Sequence, residues 1–113
     1  MVISTLRILT APQSRAEVVR RLVAQLGPTR EQPGCHRCDL YQDIEDRDAI
    51  TLVVQWESEA DLCLHLGSEA SRAILGAIEL SPEQPGIHVD TLLSRAGLEV
   101  IESARGLQRE ESR

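Results

Sequence analysis

The period of the hydrophobic pattern changes several times along this chain, and each change marks an element. Residues 2–10, VISTLRILT, alternate: Val2, Ser4, Leu6 and Ile8 share one face, while Ile3, Thr5, Arg7 and Leu9 share the other, and Pro12 ends the strand. The period then lengthens. Val19, Leu22, Val23 and Leu26 recur at helical spacing behind Ser14 and Glu17, which fit a capping box, and Gly27-Pro28 predicts the end of the helix. Residues 35–43 read as a second strand, turned at IEDRD into a third, AITLVVQWE, over 49–57. That third strand carries Ile50, Leu52, Val54 and Trp56 on one side and Ala49 and Val53 on the other, the pattern of a strand buried on both faces. Ser58 with Asp61 opens another helix with Leu62 and Leu66 as its stripe. Gly67-Ser68 breaks it and caps a further one, in which Ala70, Ala73, Ile74, Ala77 and Ile78 fit the helical template. IHVDTLL, 87–93, reads as a fourth strand. Beyond it, Leu98, Ile101 and Leu107 fit a helix better than alternation does, although Gly97 and Gly106 weaken it; a strand reaching a partner subunit is the alternative.

The order β-α-β-β-α-β predicts an α+β, ferredoxin-like fold, a four-stranded antiparallel sheet with helices on one face. Residues 1–94 form that domain and 95–113 an extension. Helices on one face leave the other face of the third strand uncovered. A homodimer in which two sheets pack together is the expected resolution.

Composition narrows the function classes. The chain has 113 residues and a net charge of −6, with no lysine, no phenylalanine, one Trp and one Tyr. Its 12 basic residues are scattered among 18 acids, so neither a phosphate-tracking patch nor a base-stacking platform exists, and no nucleic-acid partner is expected. No apolar run approaches a membrane span and no leader is visible, so no membrane association is expected. Three cysteines suit reduced thiols in a cytoplasmic protein.

The stretch GCHRCDLYQD, 34–43, gathers Cys35, His36 and Cys38. On a strand, Cys35 and Cys38 point to opposite sides and can share neither a zinc ion nor a disulfide unless the strand is broken there. No second ligand pair follows at zinc-ribbon spacing, so no metal site is expected. His36 and Cys38 are expected to share a face with Leu40, mainly as partly buried sheet residues, with substrate contact as the sharper reading.

The segment from Pro33-Gly34-Cys35 through Tyr41, Asp43, Trp56, Ser58, Glu59-Ala60 and His65 resembles the antibiotic biosynthesis monooxygenase family, also called quinol monooxygenase-like. The similarity covers about residues 2–93. It implies a dimeric α+β barrel with a small-molecule pocket in each subunit, between sheet and helices. It also implies oxygenation of a quinol or polycyclic phenol without metal, flavin or other cofactor; some members act on small molecules without oxidising them. On this reading His65, beside the apolar stripe of its helix, is the general base, with a buried structural histidine as the competing reading. Arg7 holds an oxyanion, and Thr5, His36, Cys38 and Trp56 contact substrate, although Trp56 also suits a core position. His88 and Asp90 share a face of the fourth strand and could meet Arg7. Two departures stand out. Where the family often has a second histidine in a Ser-x-His-aromatic motif, this chain has Ser68-Glu69-Ala70-Ser71. The iron-binding His, Trp and Asn of haem-degrading members correspond to Leu75, His65 and Thr5, which disfavours haem.

Overall fold

The computed structural model describes residues 1–83, 85–92 and 97–111. The elements run β1 (Val2–Leu9), α1 (Arg15–Arg30), β2 (Cys35–Gln42), β3 (Ala49–Trp56), α2 (Glu59–Leu66), α3 (Glu69–Ile78), β4 (Gly86–Thr91) and α4 (Leu98–Glu111). The strands form one antiparallel sheet in the order β2-β3-β1-β4, the expected ferredoxin-like α+β architecture with an added helix. In β1 the Val2, Ser4, Leu6 and Ile8 face pairs with the Trp56, Val54, Leu52 and Ile50 face of β3. These rows pack under α1, α2 and α3 to make an aliphatic core around fully buried Trp56, Ile8, Leu22 and Ile50. Burying each such side chain stabilises the fold by roughly 1.5–3 kcal/mol. The described part of the fourth strand ends at Thr91, and Leu93 of the expected strand lies outside the described residues. The helical reading of the tail holds for α4, which runs through Gly106.

Three local expectations change. The first helix does not stop at Gly27-Pro28 but continues to Arg30. Proline forfeits one backbone hydrogen bond, and tertiary contacts offset the loss. Thr29 is fully buried, Arg30 Nε donates to the Cys38 carbonyl at 2.9 Å, and the Glu31 N–H returns to the Gly27 carbonyl at 3.2 Å. The capping box at its start does not form. Ser14 makes no side-chain cap, its backbone lying in the helical region rather than the extended one that the capping residues Ser58 and Ser68 adopt, and the Glu17 carboxylate is drawn instead to Arg20 and Arg21 at 2.6 and 2.8 Å. In α2 the buried positions are Leu62 and His65, while Leu66 is exposed. The caps at Ser58 and Ser68 are present, accepting from the Asp61 and Ser71 amides.

Candidate functional site

The sheet and the two short helices enclose a cavity of about 180 Å³. Leu6, Leu52 and Val54 form its floor, and Leu62, Ile74 and Ile78 its roof. Ile87 and Val89 of β4, with Leu66 and Leu75, reach the opening and are exposed. The walls are almost wholly apolar. Polar side chains reach them at Ser4, Ser71 and His65.

His65 is placed by helical geometry. Three residues after Leu62, it is carried onto the buried face of α2 and is only 7% exposed. Its ring lies on Trp56, centroids 4.9 Å apart and tilted by 32°. Its Nδ1 is 2.8 Å from Oε1 of Gln32, in the turn between α1 and β2. Burial pushes the imidazole pKa below its ordinary value, so the ring stays neutral under conditions where an exposed histidine begins to charge.

The turn bearing Gln32 is fixed by the Pro-Gly-Cys stretch. Gly34 has φ +82°, the left-handed region that favours glycine, and a Cβ there would meet the Asp61 carboxylate at 2.2 Å. The Gly34 carbonyl accepts from the Glu57 amide at 2.7 Å, and Asp61 accepts from the Ser58 hydroxyl at 2.9 Å. The start of α2 is therefore seated directly on this turn.

The structure brings His65 to the cavity and stacks Trp56 behind it; Thr5 lies in the strand at the cavity floor, but alternation puts its side chain on the other sheet face with Arg7, opposite Val53 and His88. It places the other sequence-derived residues elsewhere. Arg7 is exposed on the sheet face away from the helices, opposite Thr51 and Gly86. It makes no ion pair among the described residues, and His88 and Asp90 stand opposite Thr5 and Ile3 instead. His36 and Cys38 do not share a face. His36 is the extra residue of a β-bulge between Cys35 and Arg37; it is exposed and pairs with Glu57. The bulge shifts the alternation by one, so Cys35 and Cys38 fall on the same side, opposite Trp56 and Val54. Cys38 is buried in the core beside Thr29, and burial pushes its thiol up to about 11. No cluster of three or more His, Cys, Asp or Glu suited to a metal ion occurs among the described residues. No described helix is long and apolar enough to cross a membrane. Gln32 is the residue the sequence reading missed. A contact across 33 positions leaves no periodic trace, and its place just before Pro33-Gly34 is the only local sign.

Fold and cavity together define a ferredoxin-like α+β domain built around a chamber of small-molecule size. The chain belongs to the antibiotic biosynthesis monooxygenase family, whose model matches residues 1–77. Solved structures agree. Rv0793 from Mycobacterium tuberculosis is 26% identical, with a TM-score of 0.78 over 85% of this chain and 98% of that one. PA3566 from Pseudomonas aeruginosa is 26% identical, with a TM-score of 0.74 over 82% and 94%. A structure described as an antibiotic biosynthesis monooxygenase, 18% identical, has a TM-score of 0.75 over 83% and 100%, a likeness of fold. No curated protein matches the chain.

Proposed function

We propose that this protein is a homodimeric oxygenase that acts on a quinol without metal or flavin, with His65 as general base. The observation that carries this reading is His65 itself, a buried imidazole in the wall of an otherwise apolar cavity. Kept neutral by burial, it can take a phenolic proton at neutral pH. The resulting phenolate is electron-rich, and apolar walls solvate it poorly, which favours electron transfer to dioxygen. The overall reaction balances without an external reductant. One oxygen atom enters a ring C–H position, the other leaves as water, and the quinol supplies all four electrons as it becomes a hydroxyquinone.

The cavity size selects among substrates. A protein cavity of about 150 Å³ accommodates benzene, so about 180 Å³ suits a one-ring quinol better than a polycyclic phenol. This reading gives Arg7 no role, as it lies on the sheet face away from the helices. The test is oxygen uptake by metal-free protein with reduced benzoquinones, beside His65→Ala. We expect uptake by the wild type and a loss of about 100-fold or more in the variant, the scale of a lost general base. The acidic limb of activity should lie below pH 6.5, because a lowered pKa keeps the base unprotonated further into acid. Wild-type protein that consumes no oxygen with any member of the panel would end this reading.

A further inference from the structure

Gln32 does not line the cavity, yet it holds the one titratable group that does among the described residues. Its own position is fixed by the backbone: its N–H donates to the Thr29 carbonyl and its carbonyl accepts from the Cys35 N–H, both at 3.1 Å. From there its side-chain oxygen meets His65 Nδ1 at 2.8 Å. An amide oxygen can only accept. With that oxygen turned to the ring, the contact is satisfied by an imidazole that carries its proton on Nδ1 and keeps the lone pair on Nε2. Nε2 has no hydrogen-bond partner among the described residues and is not one of the fully buried unpaired atoms, and the residue lines the cavity. Trp56 fixes the ring across its face as Gln32 fixes it in its plane.

The surroundings leave this task to Gln32. β1 and β3 offer His65 only uncharged groups, Ser4, Leu6, Leu52 and Val54, and α3 offers Ser71 and Ile74. The acid one turn earlier on its own helix, Asp61, is engaged with Ser58 and packed against Gly34. A neutral amide orients the ring without stabilising its charged form, as a carboxylate would.

We propose that Gln32 is the positioning residue of the base: it locks His65 in the Nδ1–H tautomer and so presents the Nε2 lone pair to a ligand in the cavity. The inference rests on the reading of His65 as base. Gln32 acts through His65 and needs no contact with substrate.

The experiment uses the full chain labelled with ¹⁵N-histidine. Long-range ¹H–¹⁵N spectra report the His65 tautomer in wild type, Gln32→Leu and Gln32→Glu, with thermal melting as the check on folding. Oxygen uptake with reduced 2-methyl-1,4-benzoquinone is measured on the same samples. We expect Nδ1–H in the wild type and loss of that preference in Gln32→Leu, with kcat down about tenfold and KM nearly unchanged. Gln32→Glu should keep the tautomer and move the acidic limb of kcat up by about one pH unit or more, since a nearby carboxylate favours the imidazolium. An Nε2–H wild type would overturn the inference, as would a folded Gln32→Leu protein with the tautomer unchanged. A tautomer that follows residue 32 with no oxygen uptake by any variant supports the hold of Gln32 on His65 and removes the oxygenase reading. Uptake that ignores residue 32 does the opposite.

Discussion

Gly34 is the residue on which the site's geometry depends most directly without touching the cavity. Its left-handed backbone costs any L side chain about 1–2 kcal/mol, and the Asp61 carboxylate occupies the place of its missing Cβ. Gly34→Ala should therefore lower the unfolding free energy read from a urea titration by at least that backbone cost. The same substitution in an Asp61→Ala background should cost less, by ~0.5 kcal/mol or more, because the contact is gone while the backbone strain remains. Equal losses in the two backgrounds would show that Asp61 moves aside freely. The prediction ties a sequence motif to a mechanism: glycine is required here because a turn and a helix start share one space.

At the scale of elements, the patterns of β1, β3 and α3 were legible because each has a sustained period and a clear terminator, whereas in the short α2 only Leu62 of the expected stripe is buried and Leu66 is exposed. His65 was legible even so, since its spacing from Leu62 alone puts it on the buried face. What the pattern concealed was set by tertiary contact. Gly27-Pro28 is a sound stop signal, overridden because Thr29 packs into the core and Arg30 finds the Cys38 carbonyl on β2, a partner that a free helix end would lack. Ser14 and Glu17 have the right spacing for a capping box, but the Ser14 backbone is already helical and two arginines compete for the Glu17 carboxylate. The bulge at His36 was hidden because the alternation before it is too short to betray one extra residue, and it decides which of Cys35 and His36 faces the core. Arg7 shows the matching limit. Alternation correctly put it with Thr5 and Leu9, but only the layer order reveals that this face is the one without helices.

The whole molecule is more extended than a compact chain of its size. Its radius of gyration is 17.6 Å, against about 13 Å for a globular domain of this length. The described side chains of α4 are all exposed, including Leu98, Val100 and Ile101, and an isolated helix of this length is marginal in water. The outer face of β3 holds half-buried Thr51 and Val53 with no helix above them. Both features favour the proposed homodimer, and light scattering should give twice the chain mass. A monomer at micromolar concentration would count against it. One further property follows from strand order. Among the described residues β4 pairs with β1 alone, is exposed along all six of its positions, and yet carries Ile87 and Val89 at the cavity opening. Cooperative stability should thus fall across the sheet toward the side where a ligand must enter. Amide exchange should be fastest in β4 and slow only with global unfolding in β1 and β3, and a bound quinol should slow β4 selectively. Uniform exchange across the four strands would contradict this. The site's doorway is then also the protein's first point of unfolding, and occupancy of the cavity becomes a way to resist proteolysis.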